Sequence, residues 1–457
     1  MIEPVSQYFR CFDSLPTAEL SGALSADAGY FRFGPDVVAY GRSATGSRTR
    51  QASQLLYDTL GDVSRNSRSL QLPFDPAEIV DNLRGERYIS GARQADASRS
   101  SKLAQAAYYL CRPFLPLAVR KHLQKFHLRD WRGIPFPHWP VDRTVDALMQ
   151  KLLLLAAKSR GLERVPFIWF WPDGASACSI MTHDVEAEPG RDFCPSLMSI
   201  NEDFGIPASF QIVPEKRYEV TRVFLDEIKA RGFEVNVQDL DHDGRLFRNY
   251  DEFARRAAKI NQYGRDFAAV GFRSAILYRN QDWFNLLRFS YDTSIPNVAH
   301  LDPQRGGCCT VMPYFVGDIL ELPVTATQDH TLFNVLNDYS LSFWQQQCEL
   351  IMETHGLITF IVHPDYIISP RPQAAYKRLL DFLVKLRTER NVWIALPREV
   401  DRWWRQRSAM KIIRRNGEFM VDGAGSERAR IAYACVEGDR IVYEFSDRAM
   451  RVGANPS

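Results

Sequence analysis

From Val165 onward, apolar runs of four to six residues alternate with longer segments whose apolar positions recur every three to four residues. Short runs bounded by turn residues read as buried strands and the longer spacing as amphipathic helices, so the pattern predicts parallel β/α architecture. Strands are expected at Ala177–Met181, Ala208–Val213, Phe233–Val237, Phe267–Gly271, Ile319–Pro323, Leu357–Val362 and Val392–Ala395. Helices are expected at Tyr218–Arg231, Tyr250–Tyr263, Leu332–Thr354 and Pro372–Glu389, with Gly232, Gly264 and Gly356 as stops. Roughly seven β/α units approach a barrel count, and a parallel sheet wound this way gathers its chemistry at the C-terminal ends of its strands.

The pattern divides the chain into an N-terminal region (1–160), the β/α body (161–402) and a small β-rich C-terminal appendage (403–457). In the first region, Phe31–Pro35 and Val37–Gly41 read as a hairpin, and Ser101–Leu110 and Thr144–Ser159 as amphipathic helices. Asp130–Pro140, with three prolines and two tryptophans, reads as a rigid connector whose aromatics pack on a neighbour. In the appendage, Gly417–Val421 and Arg440–Phe445 read as strands, and Ala454–Ser457 as a frayed end.

Composition narrows the function classes without choosing among them. A length of 457 residues, 45% hydrophobic and 25% charged, suits a globular protein with a sizeable core, and a net charge of +2 gives no electrostatic reason to expect nucleic acid. The start Met1-Ile2-Glu3-Pro4-Val5 lacks the basic and apolar stretches of a secretory signal, and no run is long and unbroken enough to cross a bilayer, so a cytoplasmic location is expected. Eight cysteines without a C-x-x-C spacing read as reduced core residues; vicinal Cys308-Cys309 is the one oddity, and a redox or soft-metal role for it would need a second thiol pair or a nearby ligating histidine, which the sequence does not display.

Four of the expected strands end in polar clusters. Thr182-His183-Asp184-Val185-Glu186 follows the first strand, and Gln238-Asp239-Leu240-Asp241-His242-Asp243 follows Phe233–Val237. The four-residue step from Gln238 to His242 would place both on one side of a helical turn, as a metal-binding pair needs. Gly271-Phe272-Arg273-Ser274 and His363-Pro364-Asp365-Tyr366 complete the set. Any one of these could be a helix cap, a solvated loop or a satisfied core histidine; four in one sheet favour a site.

In order and spacing these pieces resemble the motifs of the polysaccharide deacetylases of carbohydrate esterase family 4, over about half the chain. The resemblance implies an α/β fold, a NodB-like (β/α)7-type irregular barrel with an N-terminal mixed α/β extension and the small C-terminal β appendage. It implies Asp184 as base, Arg273 as its partner, and His363 as the acid that protonates the departing amine. Glu186 and His242 inherit metal-ligand roles, and Gln238 stands where the family keeps a second histidine. Tyr291-Asp292-Thr293-Ser294 resembles a Tyr-Asp-Ser-Ser segment of the family, and Tyr278, Asp292 and Tyr366 are expected to touch substrate.

The implied activity is a metal-dependent carbohydrate N-deacetylase, a hydrolase acting on an acetamido-sugar of a glycan or lipid-linked glycan precursor. The implied cofactor is a divalent metal, Zn²⁺, with Mn²⁺ or Mg²⁺ as alternatives because a carboxamide is a poor zinc ligand. Asp239, Asp241 or Asp243 could supply an oxygen in its place, and His183 is a further donor pointing away from Asp184 if the strand continues. The competing expectation is a catalytically silent barrel that binds glycan or scaffolds polysaccharide assembly. A glycoside hydrolase would need two carboxylates flanking a sugar bond, and Asp184 and Glu186 stand too close in sequence for that.

Overall fold

A computed structural model describes residues 2–12, 15–65, 69–89 and 130–445. The helix expected at Ser101–Leu110 and the end at Ala454–Ser457 lie outside these residues. Ahead of the body come helices α1 (Glu3–Phe9), α2 (Pro76–Arg84) and α3 (Thr144–Ser159), and strands β1 (Thr17–Leu20), β2 (Gly29–Arg32), β3 (Val38–Gly41), β4 (Ser64–Arg65) and β5 (Ser69–Leu72). β2 and β3 form the expected hairpin, and α3 has the expected bounds.

The body is a curled, mostly parallel sheet that makes an irregular half-barrel. Its strands are β7 (Ala177–Val185), β8 (Ala208–Ile212), β9 (Glu234–Gln238), β10 (Gly271–Arg273), β11 (Tyr291–Asp292), β12 (Tyr314–Val316), β13 (Ile319–Glu321), β14 (Leu357–Val362) and β15 (Val392–Ala395). The order is β12-β13-β11-β10-β9-β8-β7-β14, with β15 also on β7 and β12 antiparallel to β13. Beyond β13, Thr325 Oγ1 donates to Leu357 O (2.8 Å) and Ala326 N to Thr359 O (3.2 Å), which draws the open side toward β14.

Helices α4 (Glu188–Asp203), α5 (Arg222–Ala230), α6 (Tyr250–Asp266), α7 (Ser342–Met352) and α8 (Pro370–Arg390) cover the outside. Their apolar faces, among them Leu197, Ile228, Phe253, Ile260 and Leu379, pack on Met181, Phe210, Ile212, Val235 and Ile358 in one buried cluster. Each such side chain contributes about 1.5–3 kcal/mol on leaving water.

Most expected elements are met to within one or two residues at each end, and four depart in ways that bear on the fold or the site. β7 runs on to Val185 because β14 pairs with it as far as His183 and β8 from Met181 to Val185; Asp184 therefore belongs to the strand. Phe267–Gly271 is not a strand: α6 continues to Asp266 with Phe267 N bonded back to Tyr263 O (2.8 Å), and β10 starts at Gly271. A Cβ at Gly271 would lie 2.3 Å from the Tyr291 ring, so the glycine makes room for that tyrosine. The segment expected as one helix over Leu332–Thr354 is a π-helical turn, His330–Leu336, closed by left-handed Asn337 (φ 56°) before α7 begins. Tyr218 precedes rather than opens α5, which starts after Thr221, whose hydroxyl caps Phe224 N (3.2 Å).

The N- and C-terminal segments pack together. Strand β6 (Arg164–Ile168) pairs with β18 (Ile431–Glu437), which pairs with β19 (Arg440–Phe445); β16 (Lys411–Arg415) and β17 (Glu418–Asp422) form a separate hairpin. A second buried cluster joins Val5, Phe9, Leu148, Phe167, Ala432 and Tyr443 to Cys178, Ile180, Leu320 and Leu357 of the sheet. Arg407, on helix α9 (Pro397–Ala409), locks it: 1% exposed, its guanidinium donates to the carbonyls of Tyr8, Phe9, Ile168 and Trp169. Cys308 and Cys309 are buried free thiols.

Candidate active site

The pleat of β7 sends Thr182 and Asp184 to one face and His183 to the other. On the outer face His183 contacts Asn201 Nδ2 (3.0 Å) and Tyr376 beneath α4 and α8, and burial pushes its pKa down to about 3. His183 is a neutral core histidine.

On the inner face Asp184, 3% exposed, meets Arg273 from β10. Arg273 Nη1 donates to Asp184 Oδ1 (2.6 Å) and Thr182 Oγ1 (2.8 Å), while its Nε donates to Thr293 O (3.0 Å) and Oγ1 (3.1 Å). This fully buried guanidinium is held by three strands, so its position is fixed before any ligand arrives. Burial raises the Asp184 pKa and outweighs the lowering by Arg273 and His363.

Glu186 stands one residue past β7. Its Oε1 lies 2.7 Å from His242 Nε2 and 3.5 Å from His363 Nε2, and accepts from Gln238 Nε2 (2.9 Å). The same amide nitrogen donates to Asp184 Oδ2 (3.2 Å). Burial works to raise the Glu186 pKa, but the adjacent His242 and His363 hold it well below the usual carboxylate range.

His363 follows β14. Its Nδ1 lies 2.6 Å from Asp329 Oδ1, and its backbone N donates to Asp329 Oδ2 (2.8 Å). Burial alone would lower the His363 pKa; Asp329 and then Glu186 raise it well above the usual value. A carboxylate on Nδ1 fixes the ring orientation and leaves Nε2 facing the cleft.

Asp329 is the residue that sequence reasoning missed. It caps the π-helical turn through His330 N (2.7 Å), within a segment expected as loop before a continuous helix. An acidic residue immediately before an amphipathic run is the signal it left.

The Gln238–His242 step is not a helical turn. Gln238 ends β9, and Asp239 (φ 50°) and His242 (φ 54°) are left-handed loop residues that swing the imidazole back toward Glu186. Asp241 and Asp243 are occupied by Arg256, at 2.9 and 2.7 Å. Asp239 Oδ1 caps Leu240 N (2.7 Å), and burial lifts its pKa to about 6. None of the three carboxylates joins the cluster as a substitute oxygen ligand in this arrangement.

Of the expected substrate contacts, Tyr366 sits over the site, its ring 4.7 Å from that of His363. Tyr278 is half-buried on the neighbouring loop, where a Cβ at Gly244 would approach its ring to 3.4 Å. Asp292 is a correction: it is fully buried, its oxygens accept from Ser294 N (2.8 Å) and Oγ (2.7 Å), and it faces Glu321, so it cannot reach a substrate.

Asp184, Glu186 and His363 offer ligand atoms within 4.8 Å of one another, a possible metal site. Buried polar atoms left without an aligned hydrogen bond gather here: Gln238 Oε1, His242 Nε2, Arg273 Nη2 and Asp365 Oδ1. His242 Nε2 lies 2.7 Å from Glu186 Oε1, and although burial works to lower the His242 pKa, this carboxylate raises it. The residues fit a divalent cation.

No protein-family model matches the chain, and no curated protein matches it. Solved structures do resemble it in outline. A putative polysaccharide deacetylase from Mycobacterium smegmatis is 20% identical, over 52% of this chain and 93% of that one, with a TM-score of 0.43. A probable polysaccharide deacetylase from Pseudomonas aeruginosa PAO1 is 13% identical over 51% and 92%, with a TM-score of 0.40. A peptidoglycan deacetylase from Bacillus subtilis is 11% identical over 52% and 96%, with a TM-score of 0.34. Chemistry must be argued from the site itself. Among the described residues, no helix is long and apolar enough to cross a membrane.

Proposed function

We propose that the chain is a metal-assisted hydrolase that removes acetyl from an acetamido-sugar of a glycan or of a lipid-linked glycan precursor. The observation that carries this reading is the pairing of two differently equipped groups across Glu186: Asp184 braced by Arg273, and His363 braced by Asp329. Environments that separate acid from base in this way are what amide hydrolysis requires.

In this reading Asp184 accepts the proton of the attacking water, and Arg273 keeps the carboxylate turned toward the cleft. A carboxylate whose pKa is raised by burial is a stronger base than an exposed one. His363 Nε2 then donates to the leaving nitrogen, with Asp329 supporting the charged ring until that proton moves. In this reading Glu186 and His242, with Asp184 close by, would hold a divalent cation, Zn²⁺ or a harder ion, and His363, whose ring also converges on Asp184 and Glu186, is kept for the proton. When bound the cation would supply the positive charge that polarises the acyl carbonyl. Tyr366 forms a wall beside His363 against which a sugar ring could lie.

The test is acetate release from N-acetylglucosamine oligomers by metal-supplemented protein. Activity that disappears in Asp184→Asn supports the reading; a folded, metal-loaded protein that releases no acetate from N-acetylated glycans ends it. The second reading, a silent glycan-binding barrel, is favoured by one observation: the Gln238 amide already bridges both carboxylates. It predicts calorimetric binding of the same oligomers without turnover.

A further inference from the structure

Gln238 is the last residue of β9, and its backbone is registered against Arg273 in β10, so its side chain emerges at a fixed point on the sheet rim. There its single amide nitrogen donates to Asp184 Oδ2 (3.2 Å) and Glu186 Oε1 (2.9 Å), spending both N–H groups on carboxylates of different residues. The amide oxygen is left buried with no hydrogen-bond partner. Turning the amide over would satisfy nothing and would set that oxygen against two carboxylates, so the NH₂-inward orientation is dictated by the partners. Among the described residues no other side chain donates to both carboxylates: Arg273 reaches Asp184, and His242 approaches Glu186.

We infer that Gln238 is a built-in stand-in for the cation. Its NH₂ group holds Asp184 and Glu186 together when no metal is bound, and an incoming divalent ion must displace it. The site is therefore assembled in the metal-free protein and its occupancy is weak and exchangeable, following the supply of ion instead of retaining one permanently. A histidine at this position would offer a lone pair to the ion; the carboxamide offers two protons to the ion's own ligands. The inference rests on reading the cluster as a metal site, but it concerns affinity and assembly and does not require turnover.

The experiment strips wild type, Gln238→Glu and Gln238→Leu with chelator, then titrates each with Mn²⁺ and with Zn²⁺ by calorimetry and records thermal unfolding with and without ion. Gln238→Glu places a third carboxylate where the bridge was. Its metal-free form is expected to melt several degrees below wild type, to bind both ions at least tenfold more tightly, and to gain more in Tm on loading. Gln238→Leu, which carries no charge and no ligand atom, is expected to bind at least as tightly as wild type because the competing donor is gone; it decides the matter if the glutamate variant does not fold without metal. Tenfold weaker binding by Gln238→Leu would make the glutamine a ligand and overturn the inference, as would unchanged affinity in Gln238→Glu. A protein that hydrolyses no glycan would count against the proposed reaction and leave these affinities untouched.

Discussion

Replacing Asp329 by asparagine tests the acid half of the site. Asp329 is fully buried and contacts His363 at both Nδ1 and the backbone N, so the substitution preserves shape while deleting the negative charge. With nearest atoms 2.6 Å apart and charge centres at roughly 4 Å, the pair interacts by about 4 kcal/mol at an effective dielectric near 20. Glu186, 3.5 Å from Nε2, retains part of that support for the protonated ring. The sign follows from the shift: Asp329 raises the His363 pKa, so without it the proton-donating form is lost at lower pH. The expected result is a fall in kcat of about 10²–10⁴-fold, the range for losing a general acid, with the alkaline limb of the kcat profile displaced toward lower pH. The assay is acetate release against pH under saturating glycan and metal. An unmoved alkaline limb in a folded variant with reduced kcat would show that His363 is not the titrating acid, and the reasoning from the Asp329 pair would fail.

Asp184→Asn should cost stability as well as turnover: it strands a fully buried Arg273, a change expected to cost about 3–5 kcal/mol in urea unfolding, partly recovered in the double variant with Arg273→Met. Glu86→Gln should destabilise by about 3 kcal/mol or more, because Glu86, two residues past α2, forms a buried pair with Arg279 and accepts from Gly307 N (2.6 Å); unchanged urea unfolding would show that the pair adds nothing to stability. Asp146, buried on α3, has its pKa lifted by burial to about 6 from 3.8, so the folded state binds its proton more tightly and this residue's contribution falls as pH rises from 4 to 6. Wild type should lose up to roughly 3 kcal/mol relative to Asp146→Asn across that interval, and a pH-independent difference would contradict the assignment. Gly271→Ala should destabilise severely, since its Cβ would overlap the Tyr291 ring that donates to Glu234 (2.7 Å) and accepts from Asn236 (2.7 Å).

The strands that sequence pattern locates well are the fully apolar ones. Leu357–Val362 and Val392–Ala395 have the expected bounds because each is a short, almost wholly apolar run, broken only by Thr359, that pairs with β7 along its length. β7 runs further than expected because Thr182, His183 and Asp184 are polar yet still paired, and β9 ends one residue late because Gln238 still pairs with Arg273. Asp184, Glu186, Arg273 and His363 were legible as strand-end residues, and the structure brings them together. Asp329 left only the weak signal of an acidic cap, because its partner His363 lies 34 residues further along the chain and only the fold brings the two together. Asp292 misled for the opposite reason: its motif is present, but a buried partner, Glu321, turns it inward.

The pairing of β6 with β18 separates two adjacent strands by about 260 residues of chain, from Arg164–Ile168 to Ile431–Glu437. During synthesis β6 emerges with its hydrogen-bonding edge open and must wait while the whole half-barrel is translated before its partner arrives. Vectorial folding therefore has a natural order: the parallel sheet can collapse first on its local β/α contacts, and the pairing of β6 with β18 closes last. A nascent chain stalled before Ile431 would carry the Asp184, Glu186 and His363 cluster on a body in which the β6 edge that meets β18 is still unpaired.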